Sequence, residues 1–276
     1  MPSALHIAAD LLREAVHRKW MLGLLLAITL AGVLLGWTLQ MEVVDGVLAS
    51  TRLFGLDVGH DLRATDMALR PVFSGTAWFM YVTGLLFGVL ACSDFAPEFL
   101  AAGRIEHLLA LPLRRAELIV GIYLGVLALS VASALYGGVV FTVLFGLKSG
   151  IWSWCIVAGA LAGCLAFSAV YAAMLASAVF VRSAALSSAI GVALLFAGSV
   201  IARPELAALF NAGAPRRWFT AVVSFVPRFW LLGRLGAVAG GFEPLDADLL
   251  RTAAGTLIFA GACVMLAIWE FERRDY

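Results

Sequence analysis

Six long stretches of the chain hold no charged residue and no histidine: 20–41, 71–93, 118–147, 151–181, 183–202 and 252–269. About 20 apolar residues in a helix cross the hydrocarbon of a bilayer, so each stretch predicts a membrane-spanning helix. The third and fourth, at about thirty residues each, predict helices that tilt strongly or run on beyond the hydrocarbon. Residues 3–19 have a different rhythm. Leu5, Ala8, Ala9, Leu12 and Val16 recur at three-and-four spacing, opposite His6, Asp10, Arg13, Glu14 and His17. That pattern predicts an amphipathic helix lying in the membrane interface, started by Pro2 and Ser3. Trp20, Trp37, Trp152, Trp154 and Trp269 fall near predicted span ends, where indole rings anchor.

The connections differ from one another. Residues 42–70 carry Glu42, Asp45, Arg52, Asp57, Asp61, Arg63, Asp66 and Arg70, and are expected to form a small solvated helical cap. Residues 94–117 make a short charged elbow. Residues 203–251 are long and only moderately polar, with apolar and aromatic runs on either side of Pro227 and with Arg216, Arg217 and Arg228 beside them. That composition predicts a broken hairpin re-entering the membrane before the last span; irregular backbone survives there only when buried in protein or lining a water-filled path. The three arginines either meet an anionic substrate or snorkel to headgroups. The expected fold is a single all-α integral membrane domain over 1–276: an interfacial helix, six spans and the outer re-entrant hairpin.

Composition agrees. Hydrophobic residues make up 63% of the chain, charged residues 13%, and the mean hydropathy is +0.99. A soluble domain of this size needs more charge to cover its surface. The net charge of +1 gives no field to attract nucleic acid. Cys92, Cys155, Cys164 and Cys263 all lie in apolar runs and read as packing residues rather than a disulfide framework. The first apolar run is too long for the core of a signal peptide, so an uncleaved span is expected.

Six spans place both termini on one side. Lys and Arg divide nine to ten between the two sides, so totals do not choose the orientation. The flanks do: Arg18-Lys19, Arg114-Arg115, Arg182 and Arg273-Arg274 crowd the side of the termini, which predicts cytoplasmic termini in a bacterial-type inner membrane.

Several chemistries are disfavoured. Uncharged spans argue against an ion-coupled carrier, which needs groups to bind and relay its ion. A phosphate-cradling loop needs Gly-Lys-Ser/Thr, yet Lys19 follows Arg18 and Lys148 follows Leu147. His6, His17, His60 and His107 all lie outside the spans, so no Ser–His pair forms within the bilayer. Asp57, His60 and Asp61 read as a solvated polar face rather than a metal site, and no catalytic residue, cofactor or metal is expected on this chain. Gly121/Gly125 and Gly159/Gly163 each have GxxxG spacing, which predicts close helix packing.

The segment 98–125 is the most telling. Glu98 to Leu111 is expected to form a short helix with Ile105, Leu108, Leu109 and Leu111 toward the membrane, stopped by Pro112, with Arg114-Arg115 anchoring the next span. Its sequence resembles the ABC-2-type exporter permeases. The matching residues are Glu98, Gly103, Ile105, Glu106, Leu108, Leu109, Pro112, Arg115, Glu117, Leu118 and Gly121; Arg104 stands where the family usually has Thr, and Ile122 where it has Lys. The resemblance implies a permease half that pairs with a second permease chain, identical or not, and with cytoplasmic ABC ATPase subunits carrying ATP and Mg. It implies an exporter of a hydrophobic, lipidic or otherwise unidentified substrate among membrane lipids, coupled through the N-terminal helix (Arg13, Glu14) and the elbow (Glu98, Arg104, Glu106, Arg114, Arg115). A non-transporting membrane scaffold using the same partner surface is the alternative.

Overall fold

The computed structural model describes residues 2–17, 19–44, 47–53, 56–59, 63–101, 103, 114–201, 203, 206, 217–218 and 225–273. Its helices are α1 (Pro2–His17), α2 (Lys19–Thr38), α3 (Thr65–Cys92), α4 (Phe95–Phe99), α5 (Arg115–Ser149), α6 (Cys155–Val181), α7 (Ala184–Phe196, followed by a π-turn at Ala197–Ile201), α8 (Phe229–Leu232), α9 (Leu235–Ala239) and α10 (Ala247–Arg273). Among the described residues five stretches are long and apolar enough to cross a membrane: Leu69–Phe99, Arg115–Ser149, Cys155–Val181, Ala184–Ile201 and Ala247–Arg273. They mark the chain as a helical membrane protein. The apolar part of α2, Gly23–Trp37, is shorter. The 35 residues of α5 make a rod about 52 Å long, well beyond the roughly 30 Å of hydrocarbon. It ends at Gly150, whose φ of +72° turns the chain back while its N–H bonds the carbonyl of Gly146.

The core is organised around α6. In its most apolar stretch 72% is buried, against 17% for α10, and it packs against α3, α5, α7, α9 and α10. Small side chains allow this. A Cβ on Gly159 would sit 2.8 Å from the carbonyl oxygen of Ala77 on α3, and Gly163 lies against the backbone of Tyr81. Apolar side chains gain nothing by leaving lipid for protein, so helices in a membrane associate through such close approaches. Aromatic side chains fill the remaining space: Phe167 and Tyr171 stack at 5.7 Å, and Tyr123 of α5 lies 6.4 Å from Tyr171.

Cross-contacts fix the direction of each helix. Ala77 and Tyr81 face Gly159 and Gly163 in the same order, so α3 runs parallel to α6. Tyr123 bonds the carbonyl of Ser168, Ser130 bonds Cys164, and Gly138 faces Val157, so α5 runs antiparallel to α6. Thr29 meets Tyr136 at 2.7 Å, while Gly32 faces Val140 and Gly36 faces Leu144; α2 therefore runs parallel to α5. One end of the bundle gathers α1, the α3–α4 turn, the start of α5, the α6–α7 turn and the end of α10. The opposite end carries the segment after α2, Gly150 and the α8–α9 region.

The segment after α2 corrects the sequence reading. In place of a helical cap it forms four short strands, β1 (Leu39–Val44), β2 (Val47–Leu53), β3 (Leu56–Gly59) and β4 (Arg63–Ala64). β1 pairs antiparallel with β2, from Leu39 opposite Leu53 to Val44 opposite Val47, and both β3 and β4 pair antiparallel with β2. Two-residue links join β1 to β2 and β2 to β3, the length that favours a hairpin over a helix. α3 then begins at Thr65.

α1 is also rotated relative to the expected ridge. Ile7, Ala8 and Leu11 are buried, while Leu12 and Ala9 are only half-buried. The reason is α5: Gly125 leaves room for the backbone of α1, and a Cβ there would meet Ala8 Cα and Leu11 Cβ at 3.2 Å.

Candidate functional site

The α1 end of the bundle collects most of the charged residues that the sequence singled out. α5 begins with the Glu117 carboxylate accepting from the backbone N–H of Arg114 at 3.4 Å, which satisfies one of the donors a helix start leaves open. Arg114 is exposed. Arg115 Nη1 donates to the carbonyl of Glu272 at 3.4 Å, tying the start of α5 to the last turn of α10. Phe271 is buried beside it, and the Arg273 guanidinium lies 3.7 Å over the Trp269 ring. On α1, Arg13 is exposed and pairs with Asp10 at 3.2 Å, while Glu14 is half-buried.

α4 shows how a short helix is held at this end. Phe95, Ala96, Pro97 and Phe99 are buried with Leu100, and only Glu98 is exposed. Helix α4 begins before Glu98 and ends at Phe99, and Gly103 adopts φ +85°, a conformation that ends a right-handed helix; the greater part of the expected helix, 104–111, lies outside the described residues. Arg104, Ile105, Glu106, Leu108, Leu109, Leu111 and Pro112 lie outside the described residues. At the α6–α7 turn, Arg182 takes φ +53°, Ser183 Oγ accepts from Leu186 N–H, and Ser187 Oγ donates to the Met174 carbonyl. Surface charge here thus stands on a rigid apolar base.

The glycine pairs divide between two contacts. Gly125 receives α1, and Gly121, four residues nearer the start of α5, is buried. Gly159 and Gly163 receive α3.

At the opposite end, α8 and α9 pack into the bundle rather than over it. Tyr81 Oη donates to the Phe229 carbonyl at 2.6 Å, and both residues are buried. A Cβ on Gly236 would meet Ala77 Cβ at 2.8 Å and the Cys155 carbonyl at 2.9 Å, while Gly198 in the π-turn lies directly against Phe229. Pro227 is buried, Arg217 and Arg228 are exposed, and Arg216 is outside the described residues. Pro227 and Arg228 border a cavity of about 260 Å³ shared with Asp248, Arg251 and Thr252 of α10. Sequence reasoning missed Tyr81, because a lone tyrosine inside an apolar run gives no sign of a distant carbonyl partner.

Among the described residues no group of three or more His, Cys, Asp or Glu gathers to hold a metal ion, and all four cysteines are free thiols. His60 and Asp61 lie outside those residues. No protein-family model matches this sequence, and no curated protein matches it closely enough to indicate a relative.

Proposed function

We propose that this chain is the membrane-spanning permease subunit of an ATP-driven exporter whose ATPase is a separate cytoplasmic chain. The observation that carries the reading is the pattern from Glu98 to Gly121, which resembles the ABC-2-type permeases and whose described ends, Glu98 and 114–121, lie where α1, α4, α5 and α10 converge. Exposed Arg13, Glu98 and Arg114 stand there on buried apolar side chains. A rigid base under solvated charge suits a partner that must push on the helices. In this reading α2 is a sixth crossing, since its 20 residues reach about 30 Å. α8 and α9 are the re-entrant hairpin, and both termini face the cytoplasm of a bacterial-type inner membrane. A second permease chain completes the pathway.

Without a Gly-Lys pair this chain supplies no nucleotide site of the phosphate-loop kind. The test is purification in mild detergent after co-expression with ATPase subunits from the same gene neighbourhood. Stoichiometric copurification with stimulated ATP turnover is expected, and the chain alone turns over none. Copurification without transport of any amphiphile across vesicles would favour a membrane scaffold instead. Turnover by the rigorously purified single chain would refute the assignment.

A further inference from the structure

Four helices, α2, α3, α5 and α6, enclose a cavity of about 400 Å³ at mid-bundle, within the roughly 300–1,000 Å³ usual for ligand sites. We propose that it binds one acyl chain of a bilayer lipid, admitted sideways through the slot between α2 and α3. The inference does not depend on the exporter reading, since a chain held here has the same physical basis whether or not anything is transported.

Shape is the first argument. Along α3 the wall runs from Phe79 to Cys92, about 20 Å of helix, somewhat more than one leaflet of a hydrocarbon core roughly 30 Å thick. Spread over that length, such a volume makes a narrow slot, suited to a single hydrocarbon chain rather than to an α-helix about 10 Å wide.

The wall chemistry agrees. It is almost entirely apolar, with Phe79, Phe87, Phe141 and Phe167 contributing rings. Its one charged residue is Asp94, in the turn after α3 at the α1 end. Ser130 Oγ donates to Cys164 Sγ at 3.3 Å, so that hydroxyl is engaged within the wall. The wall's other side-chain hydroxyls are those of Thr83 and Ser133.

Access is the third argument. α2 leans on α5 rather than on α3. The lips of the slot, Ala27 and Ala31 on α2 and Phe79 on α3, line the cavity and are exposed on apolar helices. What surrounds such lips in a bilayer is lipid tail. Gly84 widens the slot: it lines the cavity, and a Cβ there has no atom within 4 Å.

That glycine supplies the test. A leucine at position 84 projects into open cavity and occupies it, whereas Gly75 lies on the same helix, equally open, but outside the cavity. The full chain, purified in detergent and stripped of lipid, is titrated with cis-parinaric acid, whose emission rises in dry apolar surroundings. Expected is a saturable rise at about one probe per chain, reversed by palmitate. Gly84→Leu should weaken it by about tenfold or more, because several methylenes lose their place, while Gly75→Leu leaves it unchanged. Mass spectrometry of gently extracted protein should find phospholipid retained by the wild type and lost from Gly84→Leu. Equal binding by Gly84→Leu and wild type would overturn the proposal. So would equal losses in both variants, or a change of oligomeric state in Gly84→Leu with probe binding intact. Should Gly84→Leu fail to fold, the wild type alone decides, since the absence of saturable, palmitate-reversible binding overturns the proposal. ATPase copurification is read separately, so either conclusion can fail without the other.

Discussion

The hydroxyl of Tyr81 donates a 2.6 Å hydrogen bond to the backbone carbonyl of Phe229, joining the middle of α3 to the short helices before α10. Both residues are buried, at 2% and 0% exposure, so neither group has water as an alternative partner. Tyr81→Phe keeps the ring and leaves the carbonyl with only the longer bond from the Gly233 N–H, at 3.3 Å. The expected cost is about 0.5–1.5 kcal/mol, concentrated on α8 and α9. Hydrogen exchange should quicken across residues 229–239 while the middle of α6 stays protected. Unchanged exchange there would show that packing alone holds the element.

The contact of Gly159 with Ala77 predicts a sharp steric effect. With carbonyl oxygen and Cβ both 2.8 Å from any added Cβ, Gly159→Leu must push α3 away from α6. A loss of about 1–3 kcal/mol or more is expected, read as a lower unfolding temperature in detergent. Gly75→Leu, with nothing within 4 Å, should unfold like the wild type.

The exporter reading predicts that charge at the α1 end matters for a partner and little for the fold. Glu98 and Arg114 are exposed, and solvated charges contribute under about 1 kcal/mol each. Buried at an interface and reversed, each costs roughly 2–5 kcal/mol. The double reversal Glu98→Lys with Arg114→Glu should therefore release the ATPase subunit while the unfolding temperature holds. The same outcome is expected for reversals at Arg104 and Glu106. Undiminished ATPase retention in both doubles would leave the elbow as a topological anchor and move the contact to Arg13 and Glu14.

Orientation is tested by reporter fusions. A reporter after Tyr276 should be active only in its cytoplasmic form, and one inserted at the β1–β2 link only in its exported form. An exported C-terminus would reverse the positive-inside reading of Arg114, Arg115, Arg182 and Arg273.

How far the chain could be read in advance varied with what each feature depends on. The apolar runs matched helices well because hydropathy reports the solvent around a segment: 151–181 was read as a span, and the helix is Cys155–Val181. The small sheet is hidden by the charges along 42–70, which suit a solvated helix as well as a hairpin. Asp45-Gly46 sits between two runs of β-forming residues, and an Asp-Gly pair there is a hairpin signal. α4 precedes the charged stretch that begins at Glu98, because Phe95, Ala96, Pro97 and Phe99 are what the bundle buries and charge gives no sign of them. The ridge of α1 was offset for a similar reason. Periodicity shows that a helix has two faces, but a partner such as Gly125 decides which residues meet it. The cavity beside α3 was invisible, since it exists only where four helices fail to close.

The burial of α6 has a consequence for how this chain tolerates change over generations. A residue there that grows by one methyl presses on several neighbours at once, because α3, α5, α7, α9 and α10 all lean on the same helix. Leu257, Ile258 and Met265 on the outer face of α10 have no such audience, and one greasy side chain serves there as well as another. Variation should drift freely on those outer faces, while α6 keeps its alternation of small residues and rings. In a library of single substitutions selected for correct insertion, the surviving variants would trace this gradient from rim to axis.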